Sequence, residues 1–201
     1  MKIIFIRHGK SVDDTHGISQ RNDSPLSDIG VTQAKSRVKD FSHIDFSTCY
    51  TSSYRRAQDT ARILFPTLPL ITQPDIYEVR RPLKLDGGSH ADAVRFWEIT
   101  HKADKYQPDW SYDGSESFTQ VSTRARKFIS ELINIHSSED DPVAVVSHGG
   151  FIRHCIGVAC KGKAYDPTDF FDLLLPMKID NLDAVSLSLG KNEPPSWQWF
   201  N

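Results

Sequence analysis

The chain has 201 residues, enough for a domain with its own core, and 38% apolar with 25% charged residues excludes both a disordered tail and a membrane-embedded protein. Its 24 Lys and Arg against 26 Asp and Glu give a formal charge of -2, so no global field holds nucleic acid and any attraction for phosphate has to be local. Three cysteines, Cys49, Cys155 and Cys160, form an odd set without secretory context, which points to reduced thiols in the cytoplasm.

Ile3 to Ile6 is a short run rich in β-branched residues that ends at Arg7; it is too short for the core of a signal peptide and has the character of a strand buried on both faces. Ser27 is placed to cap a helix running to about Asp40, with Ile29, Val38 and Phe41 as inward residues. Phe46 to Thr51 reads as the next strand, and Ser53 to Phe65 as a helix that stops before Pro66. Residues 79–113, with Gly87-Gly88, Pro108-Asp109 and a helical patch near Ala91 to Lys102, read as an excursion over the sheet.

Glu116 to His136 carries Val121, Phe128, Ile129, Leu132 and Ile133 at helical spacing. Val143 to Val146 repeats the character of the first strand, and Gly149-Gly150 opens a helix reaching about Cys160. Asp183 to Leu189 alternates as an edge strand would, and Trp197 to Phe200 reads as a strand packed on the domain's edge. Strands alternating with helices imply an α/β fold, a three-layer α/β/α sandwich with a mostly parallel open sheet and a small cap insertion, in one domain over 1–201.

In such a sheet ligands bind at the carboxyl ends of the strands. Two strand ends run into histidine, Arg7-His8-Gly9 and Ser147-His148-Gly149-Gly150, and a third junction carries Arg55-Arg56 into a helix. Two imidazoles, at least two guanidiniums and glycine-permitted backbone N–H groups, Gly149 among them, make a site for a doubly charged phosphate. A neutral imidazole attacks phosphorus through one ring nitrogen while the other donates to a backbone carbonyl and fixes the tautomer. A leaving alkoxide also needs a proton, and Glu78 stands on a suitable loop, with Asp75 and Asp86 as its nearest rivals. Arg80 and Arg81 either meet a second anionic group on the substrate or form a solvated loop pair.

Two apparent motifs fail on spacing. Gly9-Lys10-Ser11 lacks the earlier glycine of a nucleotide-binding loop, since position 4 is Ile4, and His154, Cys155 and Cys160 lack the paired spacing of a zinc site. His154 reads as a packing residue. No metal and no cofactor is expected.

Arg7-His8-Gly9 resembles the signature of the histidine phosphatase superfamily, the phosphoglycerate-mutase-like fold. The likeness continues through Asp23-Ser24-Pro25-Leu26-Ser27, Ser52-Ser53 with Arg56-Ala57, Gly114-Ser115-Glu116-Ser117, and Ser147-His148-Gly149-Gly150. The resemblance implies that His8 is the phosphorylated nucleophile, that Arg7, Arg56 and His148 hold the phosphoryl group, and that Glu78 is the proton donor. It selects Arg56 over Arg55. Asp14 departs from the pattern, because many members carry a phosphate-contacting Asn there.

The expected activity is hydrolysis of a phosphomonoester, a small metabolite or a phosphoprotein, with neither nucleic acid nor membrane as partner. A phosphoglycerate mutase would use the same intermediate but needs a cap that excludes water, and the excursion between Glu78 and Gly114 is modest for that. A non-catalytic phosphate-binding or docking protein is the third reading, and the intact set of His8, Arg7, Arg56, His148 and Glu78 argues against it.

Overall fold

In the computed structural model, which describes residues 1–85, 87–102, 105–136, 142–190 and 193–200, the two β-branched runs become neighbouring strands. β1 (Lys2–Arg7) and β4 (Val143–Ser147) pair in parallel, with Ile3 opposite Val143 and Arg7 opposite Ser147. Side chains alternate between faces along a strand. Ile3, Phe5, Val143 and Val145 therefore enter one core, and Ile4, Ile6, Ala144 and Val146 the other. Both faces are covered, so neither strand shows a polar alternation in the sequence.

With β2 (Thr48–Ser52), β3 (Leu70–Gln73), β5 (Ala184–Ser188) and β6 (Ser196–Phe200), the sheet has the order β3-β2-β4-β1-β5-β6. β2 runs parallel to β3 and β4, whereas β5 is antiparallel to β1 and β6. After the short α1 (Val12–Thr15), α2 (Asp28–Phe41) and α3 (Arg55–Leu64) cover one face through Ala34, Phe41, Ala57, Ala61 and Leu64. The other face is covered by α5 (Phe118–His136) and α6 (Gly149–Lys161) through Phe128, Leu132, Phe151 and Ile156. α4 (His90–Lys102) lies within the excursion, which the Ile18–Ser89 bridge ties to the loop after α1.

From β1 the chain moves toward β2 on one side, and from β4 toward β5 on the other. The carboxyl ends of β1 and β4 therefore flank a topological switch point, the usual ligand crevice of such sheets.

Three expectations need correction. β5 is an inner strand, because β6 covers it; its polar Ser186 is small enough to be buried at 1% exposure, so alternation there does not mean solvent. Ile29 is 54% exposed: Gly30 and Ala34 set the inward line of α2, and a one-residue offset turns a side chain about 100° around a helix. Ile133 is 40% exposed for the same reason, standing one residue past the inward Leu132. β3 carried no signal in the sequence, being four residues long with both middle positions exposed.

Candidate active site

The in-register pairing of β1 with β4 makes His8 and His148 the first residues past adjacent strand ends, and their ring centroids lie 5.0 Å apart. Both are buried. Arg56, in the first turn of α3, reaches between them: Nε donates to His8 Nε2 at 3.1 Å and Nη2 to His148 Nδ1 at 3.3 Å. Its Nη1 donates to the Arg21 carbonyl at 2.8 Å, which fixes the plane of the fork. Arg55, its neighbour, faces solvent with its side chain 63% exposed and 3.8 Å from Asp59.

The tautomers follow from these partners. His8 Nδ1–H donates to the carbonyl of Gly9 at 2.7 Å, which leaves the Nε2 lone pair directed at the Arg56 side. His148 accepts at Nδ1 and donates from Nε2 to Ser52 Oγ at 2.9 Å. Burial, followed by the guanidiniums of Arg56 and Arg7, holds His8 well below the usual imidazole range. Burial and then Arg56 do the same to His148, so both rings are neutral. Burial also pulls Arg56 down to about 10, where it is still charged at neutral pH.

Arg7 donates through Nη1 to the Ile179 carbonyl, and its Nε is buried without a hydrogen-bond partner among the described residues. Gly149 lies against Arg7 as the first residue of α6, where a backbone N–H has no acceptor within the helix. Glu78 approaches the same helix end. Its carboxylate accepts from the N–H groups of Gly150 and Phe151, both at 3.2 Å, and of Val79 at 2.8 Å. Position 150 must be glycine for this approach, because a Cβ there would overlap Glu78 Oε1 and come within 2.8 Å of Val79 Cγ2.

Glu78, Val79, Arg80 and Arg81 border two cavities, one shared with Arg7, Gly149 and Gly150, the other with Arg56 and Tyr54. Arg80 is tied to Tyr77 Oη at 2.9 Å. Asp75 is held by Lys127 at 2.8 Å and lines neither cavity; Asp86 lies outside the described residues. Asp14 caps α1 in a reciprocal pair with Ser11, so the departure from the family pattern is used within the loop.

A family model described as the histidine phosphatase superfamily (branch 1) matches residues 3–189. The chain belongs to that superfamily. It is 26% identical over 158 residues to a 2,3-bisphosphoglycerate-dependent phosphoglycerate mutase of Gloeobacter violaceus, covering 75% of this chain and 72% of the relative. It is 27% identical over 159 residues to a glucosyl-3-phosphoglycerate phosphatase of Mycobacterium tuberculosis, covering 75% and 71%. The crystal structure of a putative alpha-ribazole-5'-P phosphatase from Escherichia coli superposes with a TM-score of 0.80 at 21% identity, over 100% of this chain and 96% of that one, which shows the shared fold.

The site also has supports that residue types alone do not reveal. Buried Asp13 binds Arg21 through both oxygens and through the Arg21 backbone N–H, fixing the carbonyl that orients Arg56. Arg124 pairs with Glu116 at 2.9 Å in the interior and donates to the carbonyls of Asp75 and Tyr77, which anchors the loop carrying Glu78. Asn181 Nδ2 donates to the His8 carbonyl from 173 positions away. Ser52, at the end of β2, belongs to a block that carries the resemblance, and its bond to His148 ties that strand end to the end of β4.

The depressed histidines set a pH dependence of stability. In the unfolded chain each takes a proton near pH 6.5, whereas His8 and His148 in the fold resist until well below that, and His154, by burial, until about 3. The unfolded state therefore binds more protons in this window, and stability falls as pH drops below about 6.5, each group contributing up to about 1.4 kcal/mol per pH unit. Thermal melts between pH 7.5 and 5 are expected to show a steady loss of Tm. A constant Tm over that range would mean that these rings titrate in the fold as they do in the unfolded chain.

Proposed function

We propose that this protein is a cytoplasmic phosphatase that hydrolyses phosphomonoesters, of a small metabolite or a phosphoprotein, through a phosphohistidine on His8. One observation carries the assignment: His8 is neutral, fixed in its Nδ1–H tautomer by Gly9, and presents Nε2 to Arg56 at a switch-point crevice.

A phosphate oxygen replaces Nε2 as the acceptor of Arg56 Nε and frees the lone pair. Arg7, Arg56, His148 and the Gly149 N–H hold the phosphoryl oxygens, and Ser52 holds the His148 ring in place. The orphaned Arg7 Nε supports this reading, since a buried donor without an acceptor costs about 1–3 kcal/mol and a phosphate oxygen relieves it. Nε2 then bonds to phosphorus as the ester P–O bond breaks, and the departing oxygen takes the proton of Glu78. Water next attacks phospho-His8, Glu78 takes a proton from that water, and the P–N bond breaks to release phosphate. Arg80 and Arg81 are assigned to the outer part of the substrate, beyond the phosphate.

We read residues 1–201 as one such unit with 79–113 as its cap. The free thiols of Cys49, Cys155 and Cys160 support the cytoplasmic assignment, and the charge of -2 supports the absence of a nucleic-acid partner. Among the described residues no helix is long and apolar enough to cross a membrane.

The test is a phosphomonoester panel assayed in excess chelator, with phosphoglycerates followed for both hydrolysis and isomerisation. Release of inorganic phosphate at an undiminished rate is expected, because guanidiniums supply the positive charge that a cation supplies in other phosphoryl-transfer sites. Isomerisation without net hydrolysis would overturn the reading in favour of a mutase, and loss of activity restored by magnesium would require another mechanism.

A further inference from the structure

Past the phosphate end, marked by Arg7, Glu78 and Gly149, the cleft continues into a cavity of about 280 Å³, near the lower end of ordinary small-ligand sites. Five aromatic side chains line it, Phe96 from α4, Trp110, Phe118 at the start of α5, Phe170 and Phe171, with Leu175 and several charged groups beside them. Phe170 and Phe171 sit on a single π-helical turn, Asp169–Leu174, with centroids 5.2 Å apart, and Phe118 lies 6.5 Å from Phe170. Departures of this kind from regular helix are often found at functional sites. His154 also lines the cavity, stacked on Phe170 at 4.2 Å with Tyr165 Oη at its Nδ1, and burial keeps it neutral.

Three cations of the lining have partners within the protein, whereas exposed Arg81 and the Nε of Arg7, at the phosphate end, do not make such bonds among the described residues. Arg153 donates from Nε and Nη2 to the Met177 carbonyl at 3.0 and 2.6 Å, and Arg80 donates to Tyr77. The Lys105 ammonium lies 4.7 and 5.5 Å from the ring centroids of Tyr106 and Phe171, and 3.9 Å from Asp172. Glu116 is held by Arg124. The aromatic part of the lining rewards an apolar surface, while Arg7 and Arg81 remain for the anionic end of a substrate.

We propose that the leaving group taken by this site is a bulky apolar ring system, seated against Trp110, Phe118 and Phe171 while its phosphate meets His8 and Arg7. The inference rests on the phosphatase reading above, and it sets the substrate apart from short phosphorylated hydroxy acids.

Primary alkyl phosphates of similar leaving-group basicity separate the pocket from the chemistry. Burial of one phenyl ring is expected to raise kcat/KM for 2-phenylethyl phosphate about 10- to 100-fold over ethyl phosphate, and above 3-phosphoglycerate. Trp110→Ala and Phe171→Ala, made separately in case one fails to fold, should each shrink the phenylethyl-to-ethyl ratio several-fold. Calorimetry with 2-phenylethylphosphonate and ethylphosphonate should give a comparable ratio of dissociation constants without any turnover. Equal binding of the two phosphonates, or a preference for 3-phosphoglycerate, overturns the ring site. A binding preference in a protein that hydrolyses none of the esters upholds the ring site and overturns the phosphatase reading.

Discussion

His8→Ala is expected to reduce turnover by a factor on the order of 10⁴ or more, to the level at which no phosphoenzyme forms. No neighbouring group can substitute for it. His148 is in the opposite tautomer: its outer Nε2 is committed to Ser52 at 2.9 Å, and its accepting nitrogen is Nδ1, the one crowded by its own Cβ, whereas His8 accepts at the outer Nε2. Rapid quench of the wild-type enzyme with labelled substrate should trap an acid-labile phosphate on His8. In the variant the label should be absent while the thermal melt is still cooperative, which separates lost chemistry from lost fold. Label on His148, or turnover near the wild-type rate, would remove His8 from the nucleophile's role.

Glu78→Gln separates the acid from the nucleophile. The carboxylate is held by three backbone N–H groups, and a glutamine retains only one acceptor oxygen and has no proton to give. For an alkyl phosphate the phosphorylation burst should slow by roughly 10²–10⁴, the usual value of general acid assistance, whereas an aryl phosphate, whose phenolate leaves unaided, should retain its burst. Steady turnover of the aryl ester should still fall, because the same carboxylate is needed as base for water. The burst amplitude and rate are therefore the quantities to compare. Equal slowing for both leaving groups would show that Glu78 acts by holding the loop against the start of α6.

The β-branched runs 3–6 and 143–146 were legible as central strands because burial on both faces removes every polar position from them. Once they were strands, the His-Gly pairs after them marked the site, since a parallel sheet gathers ligands at its carboxyl ends. Helix ends were readable from local chemistry, Ser27 capping α2 and Pro66 following α3, because a cap involves only neighbours in sequence. The inner position of β5 was not readable, because alternation reports which side chains are small or polar and not which strand pairs outside them.

Residue types and their order along the chain show the candidates for the proposed chemistry, His8 as nucleophile, Arg7 and Arg56 as clamps and Glu78 as acid, each near a strand end or on a loop. Tertiary structure alone decided which nitrogen of His8 is available and what aims Arg56 at it, because those bonds run from Gly9, Arg21 and the buried Asp13. It alone also assembled the aromatic wall. Phe96, Trp110, Phe118 and Phe170 come from four separate stretches. The physical reason is that hydrophobic patterning records only that a side chain leaves water, and a ring facing a cavity leaves the same mark as one packed in the core.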